Sequence, residues 1–344
     1  MTDGRKIRNM DEFAAVCGIS RPTLSKYFNN PDSVRVRTRE RIEQALDQYD
    51  YRPNVFAVNQ NRRTTKNVGI VVPYLPDPFF AEIGRTVELA CLNAGYSPIL
   101  LSSRGSASQE VEHLESLRSL KPAGVLLAPL GRSSDQDVIK RFGEDVPLVL
   151  FDANIEDAGE AFIGTNNFQS IDLIVDYLCR SGEPPCFFEM KAPSNPNARK
   201  RRQAYQESMG KQGLPPQIYQ VEGEGWEFEE IGSVEGGKLL SKNAFSTNTV
   251  LCSNDRLAIG LLSAAYLQKI SAGHGEGCSL RVAGHDDHPF ARFTCPSLTT
   301  IAQDYSAIAN AAVSSLFGRI DSGLLPSERK ETLFDGTLVM RNSA

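Results

Sequence analysis

The sequence predicts a small all-α domain at the N-terminus, followed by an α/β body whose two lobes are built on doubly wound parallel sheets. The chain has 344 residues, which is enough for two or three domains of ordinary size. Segments typical of strands and helices alternate over about 230 residues, which favours parallel sheets and is long for a single one. The first 67 residues contain 13 Lys and Arg against 8 Asp and Glu, whereas the remaining 277 contain 24 against 34. A basic head on an acidic body indicates that only the head approaches a polyanion.

The composition is that of a globular protein. Hydrophobic residues make up 41% and charged residues 23% of the chain, which excludes a largely disordered protein. No apolar run approaches the roughly 18–20 residues that span a bilayer, and the first residues lack the apolar segment of a secretory signal. The seven cysteines are scattered, without a Cys-x-x-Cys motif. We therefore expect a cytoplasmic protein without disulfides, a structural zinc site or a membrane contact.

The basic head predicts three short helices. Residues 10–16 form the first, Gly18 breaks it, and Ser20 can cap a second helix over 21–28. Thr38 can cap a third helix, whose apolar residues recur at helical spacing. Two amphipathic helices around a glycine turn are typical of a helix-turn-helix, whose second helix enters the major groove of DNA. A small helical module that binds protein remains the alternative.

The second helix carries the candidate DNA contacts. Its polar face combines donors that can reach base edges or phosphates, above all Arg21 and Lys26. The head contributes Ser20, Arg21, Pro22, Thr23, Ser25, Lys26 and Asn29. Pro53 ends the third helix, and residues 55–61 then predict a helix too short to be stable alone. Because Arg62, Arg63 and Lys66 follow, this linker is expected to order against DNA, with a simple tether as the alternative.

The body predicts repeated strand–helix units. The predicted strands are 68–73, 97–101, 124–128, 147–152, 185–189, 217–221, 249–252 and 280–284. The predicted helices are 80–93, 109–119, 135–142, 168–180, 199–212, 229–242 and 255–269. Ligands of such sheets bind beyond the carboxyl ends of the strands, here in a cleft between the lobes.

Polar and aromatic residues follow several of these strands. Asp77, Phe79, Phe80, Asp152, Trp226, Asn254 and Asp286 all lie at or near strand ends. Carboxylates accept hydroxyl hydrogen bonds and aromatic rings cover C–H faces, so the set suits a sugar or polyol. Taken singly, each residue could instead be a helix cap, a turn former or part of the core.

An enzyme is not expected. The segment 285–288 contains two His and two Asp, but side chains so close in sequence cannot all converge on one ion. Phosphate-binding glycine motifs and a Gly-x-Ser-x-Gly elbow are missing from the sequence. We therefore expect no cofactor, no metal and no catalytic residue.

Several motifs resemble those of the bacterial lactose/galactose repressor (LacI/GalR) family over nearly the whole chain. They are Gly18-Ile19-Ser20-Arg21-Pro22-Thr23-Leu24-Ser25-Lys26, Thr38-Arg39-Glu40-Arg41-Ile42, Tyr51-Arg52-Pro53-Asn54, Ser253-Asn254-Asp255, Val282-Ala283-Gly284-His285-Asp286-Asp287 and Leu298-Thr299-Thr300-Ile301. The resemblance implies a type I periplasmic-binding-protein-like body and a homodimeric transcriptional regulator that responds to a small-molecule effector on a palindromic operator. It also implies a cytoplasmic protein held at the nucleoid by its operator.

The resemblance leaves the direction of the response open. A repressor released by a sugar or polyol is the first expectation, and a corepressor-dependent repressor or an activator is the alternative. A carbohydrate-binding protein without a DNA function is the alternative from another class.

The resemblance assigns individual DNA contacts. Arg21 and Pro22 match the positions that usually choose the bases, and Lys26 matches an arginine position without offering its planar fork. Asn54 and Ala57 match the hinge helix. The family usually has a leucine wedge in the minor groove where Gln60 stands. Three alternatives follow: the DNA kink is weaker, Gln60 hydrogen-bonds in the groove, or the neighbouring Val58 takes the role of the wedge.

The resemblance also assigns the pocket and the domain limits. The implied ligand-binding residues are Asp77, Phe79, Phe80, Asp152, Arg201, Trp226, Asn254, Asp286 and Gln303. Arg201 lies in a basic run, so its register could differ by one. The expected domains are a head at 1–53, a hinge at 54–67 and a body at 68–344. Within the body, lobe one takes about 68–165 and 298–330, and lobe two takes about 166–297 and 331–344.

Overall fold

The computed structural model describes residues 7–29, 31–49, 51, 64–193, 195–323 and 328–344, without the side chain of Asn29. The chain divides into two compact units, Met1–Thr65 and Lys66–Ala344. The fold class is as predicted, with a helical head and an α/β body of parallel sheets.

The head contains three helices around a small apolar core. They are α1 (Met10–Cys17), α2 (Arg21–Asn29) and α3 (Val36–Tyr49). Asn9 caps α1 by accepting from the Glu12 N–H at 2.9 Å, and Gly18 ends it in a left-handed conformation with φ 61°. Phe13, Leu24 and Ile42, one from each helix, are fully buried together.

The predicted cap of the third helix is wrong. Helix α3 begins at Val36, and the N–H groups of Thr38 and Arg39 both donate to the carbonyl oxygen of Arg35. Thr38 therefore lies inside the first turn of α3 and not at the position that precedes the helix. The first free N–H groups of the helix donate to the Arg35 carbonyl oxygen, so the Thr38 side chain is not needed as their acceptor.

A six-stranded parallel sheet forms the first lobe. Its strands are β1 (Asn67–Val72), β2 (Ser97–Ser102), β3 (Gly124–Leu127), β4 (Leu148–Phe151), β5 (Ala161–Thr165) and β11 (Lys330–Phe334). Their order is β11-β5-β4-β3-β1-β2. The helices of this lobe are α4 (Pro78–Asn93), α5 (Ala107–Ser119), α6 (Gln136–Asp145) and α11 (Tyr305–Ser322).

A four-stranded parallel sheet forms the second lobe. Its strands are β6 (Cys186–Met190), β7 (Ile218–Val221), β8 (Thr249–Cys252) and β9 (Arg281–Ala283). Their order is β7-β6-β8-β9. The helices are α7 (Asn167–Ser181), α8 (Ala198–Lys211), α9 (Phe228–Ser241) and α10 (Asp255–Leu267).

The chain crosses between the lobes after β5 and again through β10 (Thr300–Ala302) and β12 (Thr337–Val339), which pair antiparallel. The sequence puts the third crossing near residue 330. Because β11 is instead an edge strand of the first sheet, that crossing follows Phe334. One apolar cluster continues from lobe to lobe through Phe80, Trp226 and Phe228.

Within the described ranges, none of the helices is both long and apolar enough to cross a membrane.

Helices α9 and α10 approach each other so closely that Gly232 and Gly260 have no room for a side chain. A Cβ on Gly260 would overlap the carbonyl oxygen of Glu229 and lie 2.7 Å from the Ser233 nitrogen. We expect Gly260→Ala to lower the free energy of unfolding of the body by about 1–3 kcal/mol or more, because backbone cannot move aside as a side chain can. Urea unfolding followed by circular dichroism measures the change.

Gly318 in α11 provides the matched control. A Cβ there would meet no atom within 4 Å, so Gly318→Ala should be neutral or stabilise by up to about 1 kcal/mol through helix propensity. Equal stability of the two alanine variants would contradict the close approach of α9 and α10.

Candidate functional site

Helix α2 presents a polar face to solvent and an apolar face to the core of the head. Leu24 is fully buried, whereas Arg21, Pro22 and Lys26 are exposed. The Arg21 side chain is 64% exposed and lies 3.3 Å from the carboxylate of Asp11. An exposed ion pair of this kind contributes little stability, so the guanidinium is available to another anion.

The other candidate DNA contacts surround this face. The Ser20 and Thr23 hydroxyl oxygens lie 2.9 Å apart at the start of α2, and Ser25 is half-buried. The Asn29 side chain and the hinge residues 54–63 lie outside the described residues. Those predictions concern Asn29, Asn54, Ala57, Gln60 and Val58, and they stay predictions.

Arg201 is the centre of the cleft between the lobes. It leaves the first turn of α8 and is only 2% exposed. Its guanidinium donates to Asn167 Oδ1 at 3.1 Å, to the Ser253 carbonyl at 2.8 Å and to Asp286 Oδ1 at 2.8 Å. Three chain segments are thereby joined by one side chain.

Asp286 follows β9 and receives several donors on one carboxylate oxygen. Besides Arg201, Gln303 Nε2 donates to Oδ1 at 2.7 Å, and His285 Nδ1 lies 3.0 Å away. Burial raises the pKa of Asp286, but Arg201 and His285 outweigh it and hold the pKa below its ordinary value. Burial, helped by Arg201, lowers the pKa of His285 to about 4. A neutral imidazole therefore supports an ionised carboxylate.

Two carboxyl groups of the first lobe face this network. Asp152 follows β4 with a left-handed φ of 62° and accepts from Asn197 Nδ2 at its Oδ1 (2.7 Å) and its carbonyl (3.1 Å). Burial raises the pKa of Asp152 to about 7 against the pull of Arg201. Asp77 caps α4 through the Phe79 N–H, and burial raises its pKa to about 6. Near neutral pH both groups can therefore serve as donor or acceptor.

Aromatic rings from both lobes line the same region. Phe79 and Tyr305 meet edge to face at 5.3 Å, and Phe80 and Trp226 do so at 6.1 Å. Trp226 also stacks on Tyr74 with ring centroids 5.2 Å apart. The buried indole nitrogen of Trp226, which lies close to Gly105, has no hydrogen-bond partner among the described residues.

Asn254, one of the predicted pocket residues, caps a helix. Asn254 caps α10 by accepting from the Leu257 N–H at 2.8 Å, so its carbonyl oxygen is already engaged. Sequence reasoning also missed Asn197 and Arg256, which link the lobes. Arg256 contacts Asp77 at 3.3 Å, and its position in the first turn of a helix after a strand could have suggested it.

The His-Asp-Asp-His segment has separate partners for its side chains. His285 contacts Asp286, while Asp287 accepts from Arg341 at 2.6 Å. His288 Nδ1 accepts from the Phe290 N–H at 3.1 Å. Among the residues the structure describes, no three potential metal ligands come together.

Comparisons with known proteins agree with this architecture. Residues 9–54 match the model of bacterial regulatory proteins of the lacI family, and residues 177–344 match that of a periplasmic binding protein-like domain. The ribose operon repressor of Escherichia coli (strain K12) is 27% identical over 93% of this chain and 95% of its own. The HTH-type transcriptional repressor PurR of Pasteurella multocida (strain Pm70) is 28% identical over 96% and 97%.

Solved structures share the fold. The Lac repressor bound to ONPG in the repressed state superposes with a TM-score of 0.82 at 20% identity, over 99% of this chain and 100% of that one. A LacI family regulator from Alkaliphilus metalliredigens QYMF, complexed with D-xylulofuranose, has a TM-score of 0.68 at 21% identity over 81% and 99%.

A helix-turn-helix head and a two-lobed α/β body with a polar cleft define the class of ligand-responsive DNA-binding regulators. The head belongs to the lacI family of bacterial regulatory proteins, and the chain is similar to repressors over nearly its whole length. It is a transcriptional regulator and not an enzyme.

The raised pKa of Asp152 makes the stability of the body depend on pH. Because the folded value of about 7 lies above the ordinary 3.8, the folded state holds a proton that the unfolded state has lost. This contribution is full below about pH 4 and disappears as the pH rises through about 7. We expect Asp152→Asn to flatten the fall in unfolding free energy between pH 5 and 7 by up to about 1.4 kcal/mol per pH unit.

Asp157→Asn is the control, because Asp157 is exposed and also has a left-handed φ, of 59°. Urea titrations at several pH values measure both variants. A slope unchanged in Asp152→Asn would mean that Asp152 is ionised in the folded protein at pH 5.

Proposed function

We propose that the chain is a repressor that binds operator DNA as a homodimer through α2, and that a sugar or polyol in the cleft releases it. The observation that carries the proposal is the buried network of Arg201, Asp286 and Gln303, which holds an ionised carboxylate beside aromatic rings. Such a set recognises hydroxyl groups and the C–H faces of a sugar ring. The relatives compared above are repressors.

The proposed effector residues come from both lobes. They are Asp77, Phe79, Phe80, Asp152, Arg201, Trp226, Asn254, Asp286 and Gln303. In support, structural neighbours with the same body were solved with bound D-xylulofuranose and with bound sucrose.

The first lobe has an exposed apolar face that a second copy of the chain would cover. Leu89 and Leu92 on α4 and Leu100 on the edge strand β2 are 49%, 56% and 39% exposed. Apolar residues grouped on an exposed face favour burial against a partner. The Lac repressor, a structural neighbour, was solved as a dimer bound to operator. Two heads in a symmetric dimer would bind two half-sites whose spacing the dimer sets.

The effector would act by changing how the lobes meet. Ligand bound between the lobes closes or rotates them, which alters the spacing of the two hinges in the dimer and lowers operator affinity. A coupling of this kind typically amounts to about 1–3 kcal/mol, or roughly 5–150-fold in affinity. The proposed location is the cytoplasm, at operator sites on nucleoid DNA.

We expect Arg21→Ala to reduce the preference for the DNA upstream of the gene over unrelated DNA, by roughly 5–150-fold for each half-site. Loss of one good base contact removes about 1–3 kcal/mol of discrimination. Gel-shift titrations against unrelated DNA, at two salt concentrations, measure the ratio of affinities. Arg180→Ala removes an equally positive side chain that is 78% exposed in the body, and it should leave the ratio unchanged. Equal and weak binding of the unaltered protein to all DNA would leave only the carbohydrate-binding alternative.

A panel of sugars and polyols tests the cleft by thermal shift. A ligand that binds only the native state raises the melting temperature, and Asp286→Asn should lose that increment because the amide cannot replace the ionised acceptor. Asp137→Asn, an exposed position on α6, is the control. An undiminished response in Asp286→Asn would place the ligand elsewhere.

A further inference from the structure

A cavity of about 250 Å³ is lined by residues of both lobes. The first lobe contributes Arg132 and the residues Ala153 and Asn154 that directly follow Asp152. The second lobe contributes Arg199 and Lys200, which directly precede Arg201. The lining therefore includes the immediate sequence neighbours of two proposed effector residues, and it comes from the same two lobes.

The described lining of this cavity is positively charged. It contains the side chains of Arg132, Arg199 and Lys200 and no carboxylate. Lys200 reaches across to the first lobe, where its Nζ lies 5.6 Å from the centre of the Phe162 ring. Among the described residues, none of the three forms a close ion pair, although Lys200 interacts electrostatically with Asp152 and Arg199 with the buried Glu189. The next residue along, Arg202, is by contrast paired with the buried Glu189 at 2.8 Å.

The start of α8 adds to the positive potential. The 14-residue helix begins at Ala198, and the side chain of Asn197 does not cap it. That amide donates to Asp152 instead. The positive end of the helix dipole therefore acts in the same direction as the three cations.

The larger neighbouring cavity, of about 690 Å³, has a different charge pattern. Its lining mixes two arginines, Arg85 and Arg292, with four acidic side chains. The acidic lining residues are Glu82, Asp286, Asp287 and Asp304. An anion is attracted to the basic cavity and repelled from the larger one.

We propose that the effector is an anionic sugar, and that its phosphate or carboxylate group binds in the basic cavity while the ring occupies the cleft. This inference rests on the proposed function, because it extends the same effector site. The volume equals that of about eight water molecules, which is ample for either group. Three cations suit a phosphate monoester best, because it carries close to two negative charges at neutral pH.

Matched pairs of ligands test the charge requirement by calorimetric titration of the full chain. The probes are D-ribose and D-ribose 5-phosphate, D-glucose and D-glucose 6-phosphate, D-gluconate, and inorganic phosphate in buffers of constant ionic strength. We expect at least one phosphorylated or acidic sugar to bind tenfold or more tightly than its neutral parent. Tighter binding of gluconate than of the phosphate esters would identify a carboxylate as the anion.

Variants of the basic cavity separate this site from the basic head. Arg199→Gln and Lys200→Gln should each weaken binding of the anionic sugar about tenfold and leave the neutral parent unchanged. Lys211→Gln removes a charge from the far end of the same helix, where the side chain is 65% exposed, and should change neither. Phosphate bound at the DNA-binding face would be lost in Arg21→Ala and kept in Arg199→Gln.

Three results would overturn the inference. The first is equal affinity for charged and neutral sugars, and the second is equal weakening of charged and neutral sugar binding in the cavity variants. The third is that no anionic probe stabilises the protein more than chloride does. Operator binding is measured separately in the gel shift. A protein that binds its operator but prefers neutral sugars would refute the basic site alone, whereas one that binds anionic sugars without DNA selectivity would refute the repressor.

Discussion

The buried guanidinium of Arg201 is the constraint on which the cleft depends. A charge removed from water costs several kcal/mol unless its donors are matched, and breaking such a pair typically costs about 3–5 kcal/mol. Arg201 meets this demand by donating to Asn167, Ser253 and Asp286. Asn167 begins α7, Ser253 follows β8 and Asp286 follows β9. Their relative positions are therefore fixed by one side chain, and the ionised state of Asp286 is fixed with them.

Besides the apolar cluster that continues through Phe80, Trp226 and Phe228, the lobes meet through polar and aromatic contacts. Asn197 donates to Asp152, Arg256 to Asp77, and Trp226 stacks on Tyr74. Each of these contacts lies where effector atoms are proposed to bind. A hydroxyl group or ring in the cleft would exchange partners with these side chains, so ligand binding and lobe contact are one equilibrium.

Local patterns predicted most of the fold but not its tertiary connections. The strand and helix alternation followed from apolar runs, and the same reasoning extended past residue 300 would have found α11, where Ile308, Ala312 and Leu316 repeat every four residues. Strands β10 and β12 have only three residues each, and they exist because the lobe crossings bring them together. In the site, Gln303 does reach Asp286, whereas the Asn197 amide is placed by a fold that no local pattern encodes.

The basic side chains near this cleft fall into two groups, those with a carboxylate partner and those that line the basic cavity. Arg201, Arg202 and Arg256 have carboxylate partners that hold them in place, and each joins chain segments distant in sequence. Arg199 and Lys200 lie on the same helix as Arg201 and Arg202 but face a cavity without a lining carboxylate. A buried cation that stabilises the fold needs a carboxylate of the same chain beside it, because the cost of removing the cation from water must be offset within the protein. Cations left partly solvated at a cavity can instead exchange their water for a ligand anion, and this difference is the physical reason to expect a charged effector.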